Sequence, residues 1–249
     1  MRFFSCFFLL ILFFSCSNTK DKRHQLIDFA PKNSQFIIKA TNIESFKSNL
    51  ENNAFLNTLS KTSNYKDLER RLKPLSHMNA DGETLICLSK SQQDSIQYTF
   101  ITKYSETLFQ TDSLQNYIEE ILKYKNKSIV KSTLENDVFY STVIDSIFIL
   151  FSSKNSIDSV FSSSETYSEF EKMYALSSKD ENVSVLLKTN STFAPSFFIE
   201  DDLKTSDLTD FLTLDIEIAQ DDVLINGIAK SADASNKVLD IFKNTVPQE

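Results

Sequence analysis

The run Ser128–Phe151, SIVKSTLENDVFYSTVIDSIFILF, decides the fold class. Apolar and β-branched residues gather at Ile129-Val130, Val138–Ile144 and Ile147–Phe151. Glu135-Asn136-Asp137 and Asp145-Ser146 separate them with residue types that favour turns. Strands this close in sequence can pair only as hairpins, because a parallel pairing needs a crossover of about a dozen residues or more. The segment predicts an antiparallel meander.

Upstream of the meander, Asp112-Ser113 reads as a helix start, with Leu114, Tyr117, Ile118, Ile121 and Leu122 on one stripe and Glu119, Glu120 and Lys123 outside it. Before it, Leu85–Leu88 and Ile96–Phe100 read as strands about a polar connection, Ser91–Ser95, with Asp81-Gly82 as a turn. Phe36–Ala40 is a further strand. After the capping pair Thr41-Asn42, the residues Ile43, Phe46, Leu50 and Ala54 fall at helical spacing, and a second helix over Tyr65–Leu75 is interrupted by Pro74. Downstream, helical spacing returns at Ile157, Val160 and Phe161 and at Phe170, Met173 and Tyr174. Val183–Lys188 is a strand, residues 195–207 an acidic connection, and Leu212 to Ile218 alternate as a strand with one wet face. Asp221-Asp222 turns the chain into Val223–Ile225, and Ala234, Val238, Ile241 and Phe242 predict a final helix. The sum is an α+β fold of antiparallel meanders with amphipathic helices on one face.

Asn33–Lys39 (NSQFIIK) also echoes Asn182–Lys188 (NVSVLLK), each followed within three residues by Thr and Asn. Two readings stay open, a duplicated strand–helix–strands unit and a coincidence of strand composition. The expected organisation is a segment 1–15 outside the fold, a tether over 16–28, an α+β unit over 29–178 and a smaller one over 179–249 packed with it.

The first fifteen residues have the order of a secretory signal: basic Arg2, then the apolar run Phe3–Phe14 broken only by Ser5 and Cys6. The run is shorter than the roughly 20 residues of a bilayer-spanning helix. Its end, Phe13-Phe14-Ser15-Cys16, resembles a bacterial lipobox. That resemblance implies cleavage before Cys16 and acylation of its thiol, and acyl chains anchor stably when two or more are present. Ser17 after the cysteine implies sorting to the outer membrane, on its periplasmic or cell-surface side. Phe where a lipobox usually has Leu is the departure from the pattern.

Pro31–Leu59, a proline, an apolar strand and a helix with a Phe and Leu stripe, is similar to the opening of a broad group of bacterial lipoproteins of unknown function, of the Bacteroidetes or flavobacterial type. Some flavobacterial members continue past a segment like Pro247-Gln248-Glu249, which implies that this chain is one module or a shortened form. The resemblance implies no activity.

Composition excludes several function classes. A net charge of −8, with basic residues scattered, lacks the phosphate-facing patch that nucleic acid requires. Only Gly82 and Gly227 are present, so there is no phosphate-cradling loop, dinucleotide fingerprint or nucleophile elbow, and no cofactor is expected. The two histidines, His24 and His77, cannot build a zinc site between them, and Cys87 in a strand-like run reads as a small buried apolar residue. Ser128-Ile129-Val130-Lys131 matches Ser-x-x-Lys without its partner motifs, and Ser128 precedes a strand where that chemistry needs a helix. Glu200-Asp201-Asp202 with Asp207 and Asp210 is either a solvated loop or a weak calcium site. Asp94-Ser95-Ile96, Asp112-Ser113-Leu114, Asp145-Ser146-Ile147 and Asp158-Ser159-Val160 read as caps and turns or as O-glycan acceptors.

No catalytic, metal or cofactor residue is expected, and Cys16 is the one assigned site. The expectation is a membrane-anchored envelope lipoprotein, a non-catalytic binding or scaffolding module for an envelope protein or polymer. The rival is a hydrolase of envelope polymers working through unrecognised carboxylates.

Overall fold

A computed structural model describes residues 25–90, 96–109, 116–161, 168–179, 183–189 and 209–231. Its strands are β1 (Phe36–Ala40), β2 (Thr84–Lys90), β3 (Ile96–Lys103), β4 (Tyr117–Tyr124), β5 (Lys127–Leu134), β6 (Asp137–Ile144), β7 (Ile147–Phe151), β8 (Val183–Lys188), β9 (Phe211–Ile218) and β10 (Val223–Lys230). They form one sheet in the order β10-β9-β8-β1-β2-β3-β7-β6-β5-β4. Every pairing is antiparallel. The helices are α1 (Ile43–Asn52), α2 (Ala54–Leu59), α3 (Ser63–Leu72), α4 (Lys154–Phe161) and α5 (Ser168–Leu176), with short 3-10 turns at Leu26–Phe29 and Lys73–His77. The fold is thus mainly β, with a few helices.

The expected meander is present as β5-β6-β7, closed by turns that impose its register. Asp145 (φ 49°) and Ser146 (φ 64°) both lie in the left-handed region, as do Lys125 (φ 44°) and Asn126 (φ 63°) between β4 and β5. Two such residues in succession give the mirror-image turn whose twist matches that of the strands it joins.

The segment expected to be helical over Leu114–Leu122 is a strand where it is described. Residues 116–124 leave a turn and enter β4, which pairs with β5 from Tyr117↔Leu134 to Tyr124↔Lys127. Tyr117, Ile118, Ile121 and Leu122 fit a helical stripe as well as a strand with an apolar residue on each face. The two-residue turn at Lys125-Asn126 settles it, because it lets eight residues satisfy their backbone groups along β5. Ile118 and Ile121, expected to point into a core, are exposed.

Alternation sends successive side chains to opposite faces. The front face carries Phe36, Ile86, Phe100, Leu150 and Val185, closed by Ile43 of α1 and by Leu75, with Phe46 and Leu72 packed against them. The back face carries Ile37, Leu85, Cys87, Ile101, Ile149 and Leu186 under Ile157 and Val160 of α4 and Phe170 and Met173 of α5. Helical residues are therefore not confined to one face. Leu26 and Ile27, expected in the tether, are buried in the back cluster, so the fold begins several residues earlier than residue 29.

The expected boundary at 178/179 falls inside this sheet, since β8 pairs with β1. In that pairing Ile37 stands opposite Leu186, the residue that the sequence echo equates with it. The order β10-β9-β8-β1-β2-β3 reads outward alike from this pair. The expected signal segment, Cys16, the expected tether as far as His24, the connection 195–207 and the expected final helix lie outside the described residues.

Candidate functional site

Ile37 and Lys39 point to the back of β1, where α5 crosses the sheet. Lys39 is 2% exposed. Its Nζ donates to Ser177 Oγ (2.9 Å) and to the Ser178 carbonyl (2.7 Å) just beyond α5, and lies 3.8 Å from Glu83 Oε2. Its charge also sits 5.2 Å from the centre of the Tyr174 ring. The Tyr174 hydroxyl donates to Glu83 Oε1. Asp215 on β9 completes the group, its Oδ1 accepting from Ser184 Oγ (2.5 Å) and from the Ser178 amide (3.0 Å).

A cavity of about 480 Å³ opens over this cluster, lined by Gln25, Lys39, Thr41, Glu83, Tyr174, Ala175 and Lys179. Burial lowers the Lys39 pKa from its ordinary value, against the opposing pull of Glu83 and Asp215. Burial, then the hydrogen bond to Glu83, raises that of Tyr174, so the phenol remains a neutral donor. The cavity therefore presents a fixed ammonium, a phenol, a second amine and one carboxylate. Asp215 faces Ser184 and Ser178 and is not among the lining residues. Two-carboxylate glycoside hydrolysis needs a carboxyl on each side of the scissile bond, and this cavity supplies Glu83 alone.

Lys188 holds the position on β8 that the echo equates with Lys39. It too lies on the back face with its pKa lowered by burial, 4.7 Å over the Phe170 ring. Phe170 and Tyr174 are one helical turn apart, so α5 is seated on two matching lysines.

A second cavity, of about 360 Å³, is lined by Asn49, Asn52, Ile218, Ala219 and Gln220. Next to it in sequence, Asn53 is fully buried, with Nδ2 donating to the carbonyls of Ala219 (2.6 Å) and Asp222 (3.1 Å) and Oδ1 accepting from the Leu56 amide (2.8 Å).

The residues singled out in the sequence do not converge on either cavity. Cys87 is buried on the back of β2, and burial pushes its thiol up to about 12. His77 closes the turn after Pro74. Ser128 and Lys131 sit three apart on β5 and so face opposite sides of the sheet. The Ser128 carbonyl accepts from Thr142 Oγ1 at 3.0 Å, and Lys131 pairs with Glu120 at 3.2 Å. Asp145-Ser146 is an exposed turn, and Asp158 pairs with Lys125 at 2.6 Å. Asp94-Ser95, Asp112-Ser113, His24, Cys16 and the acidic residues 200–207 lie outside the described residues.

Sequence reading missed Lys39, Glu83, Tyr174 and Asp215. One signal was available, a lysine inside the apolar run Phe36–Ala40. The alternation of Leu212–Ile218 sets Asp215 on the wet face of its strand, a face that α5 partly covers.

No protein-family model matches the chain, and no curated protein does. Among solved structures, "Structure of crystal form I of TP0453" is similar with a TM-score of 0.45 and 10% identity, over 85% of this chain and 80% of that one. "Structure of crystal form III of TP0453" is similar with a TM-score of 0.43 and 10% identity, over 81% and 78%.

Proposed function

We propose that the protein is an envelope lipoprotein, anchored through acylated Cys16 in the outer membrane on its periplasmic or cell-surface side, whose sheet domain binds or scaffolds another envelope component without catalysis. One observation carries the preference for binding over hydrolysis. The cavity over Lys39 has a single lining carboxylate, already engaged by Tyr174 and Lys39. The surface fits the same reading: among the described residues, seven of the nine exposed large apolar side chains stand on β4, β6 and β10, toward the two ends of the sheet. The reading includes descent of the β1–β3 and β8–β10 strands from one duplicated unit, supported by the Ile37–Leu186 pairing.

Two assays test it. Palmitate labelling and fractionation of the full chain beside Cys16→Ala should give an acylated, outer-membrane protein whose label is lost in the variant. An unlabelled, soluble chain retaining Met1 overturns the anchor. Incubation of the purified protein with peptidoglycan and envelope polysaccharide should release no fragments. Release that disappears in Glu83→Gln replaces the binding reading with the hydrolase.

A further inference from the structure

Among the described residues, β4 is an outer strand of the sheet, hydrogen-bonded to β5 on one side only. The Lys125-Asn126 turn closes between Tyr124 and Lys127, so those two are a hydrogen-bonded pair. Alternation along an antiparallel ladder then points the backbone groups of Leu122, Glu120 and Ile118 toward β5 and those of Lys123, Ile121 and Glu119 outward. The unpaired amides and carbonyls thus belong to Glu119, Ile121 and Lys123. The same three side chains share the front face, and Ile121, at 75% exposure, is the most exposed large apolar residue described.

We propose that this edge is a self-pairing surface whose occupant is the β4 strand of a second copy of this chain. The charge pattern selects both the partner and its register. An antiparallel two-fold centred on Ile121 sets Ile121 against Ile121 and Glu119 against Lys123 of the other copy, and the symmetry makes that ion pair twice. On the back face the same register brings Ile118, 65% exposed, against Tyr124. A slip of two residues sets Ile121 against a charge and loses both ion pairs. A slip of one faces outward backbone groups with inward ones and breaks the ladder. Charges on an edge strand usually repel added strands; here they are complementary under the two-fold, so they exclude foreign strands and admit this one. Three hydrogen-bonded residue pairs supply about six backbone hydrogen bonds. The contact is isologous and closes at two copies, which stops the sheet from growing into a fibre at this edge. It stands whether or not Cys16 is acylated.

Charge reversal tests the register. The full chain in mild detergent is measured by sedimentation equilibrium as wild type, Glu119→Lys, Lys123→Glu and the double variant, with circular dichroism as the check on folding. Wild type should dimerise, each single reversal should weaken the dimer about tenfold by placing like charges opposite one another twice, and the double reversal should restore it to within about threefold. Ile121→Cys should form an intermolecular disulfide under mild oxidation, since directly paired Cα atoms lie about 5.5 Å apart. A monomeric wild type, a dimer indifferent to the single reversals, or a double variant as weak as the singles overturns the proposal.

Discussion

Asn53 offers the sharpest test of how the helical segment is fastened to the far side of the sheet. It lies between α1 and α2, fully buried, and makes three side-chain hydrogen bonds. Its Oδ1 caps α2, and its Nδ2 reaches the carbonyls of Ala219 and Asp222 in the β9–β10 turn. Asn53→Ala removes the cap, worth about 1 kcal/mol, and both amide donors, each worth about 0.5–1.5 kcal/mol net. The Asp222 carbonyl keeps the Ala219 amide at 3.1 Å, so only the Ala219 carbonyl loses a close partner outright, and the turn is exposed enough for water to replace part of the loss. The expected cost is about 2–3 kcal/mol, a fall in Tm of about 4–12 °C for a chain of this length. Urea unfolding with unchanged m-value measures it. Asn53→Asp keeps the capping oxygen but turns a buried carboxylate oxygen on the Ala219 and Asp222 carbonyls, and that repulsion should make it cost at least as much as the alanine. Asn52→Ala, which loses only an exposed bond to Ser48 Oγ, should stay within about 0.5 kcal/mol. A loss under about 0.5 kcal/mol for Asn53→Ala, or a neutral Asn53→Asp, would refute the account.

Three further outcomes follow from particular contacts. Gly227→Ala would set a Cβ 2.7 Å from Leu214 Cδ2 and from the Thr213 carbonyl, and should destabilise by about 1–3 kcal/mol in thermal unfolding. Ser146→Gly relieves a left-handed residue at φ 64° and should stabilise by about 1 kcal/mol, a gain absent if the turn conformation costs nothing. Cys87 should resist thiol reagents in the folded protein and react at the rate of unfolding; rapid native labelling would contradict its burial. Its pH effect has a definite sign. The folded thiol, pushed to about 12 from 9.0, holds its proton where the unfolded thiol has released it, so its contribution is complete below pH 9 and is lost as pH rises from 9 toward 12. Cys87→Ala should flatten that alkaline decline in denaturant titrations.

The meander was legible because its signals are local: short β-branched runs, two-residue turns, and alternation in Leu212–Ile218. The helices α1, α4 and α5 were legible for the same reason, their apolar stripes falling at consistent spacing. Residues 117–122 are ambiguous in the sequence because a pattern of two adjacent apolar pairs satisfies a helix and a strand equally; only the availability of β5 as a hydrogen-bonding partner separates them. Leu26 and Ile27 give no signal of their own because two apolar residues have no period, and their burial depends on a cluster formed by strands and helices far along the chain. The Lys39 cluster was illegible because Lys39, Glu83, Tyr174 and Asp215 are scattered over more than half the sequence and are joined only by the crossing of α5 over the back of the sheet.

The sequence by itself determined that antiparallel meanders occur together with helices, most strand positions, most of the turns, and the absence of glycine-rich phosphate loops, since each follows from steric preference or periodicity within a few residues. Tertiary structure decided that β8 adds to β1, that β4 is an edge strand, that helical residues reach both faces, and that a lysine lies buried beside a glutamate and a tyrosine. Those outcomes depend on which distant groups can satisfy each other's hydrogen bonds and exclude water together, and no short window of sequence carries that information.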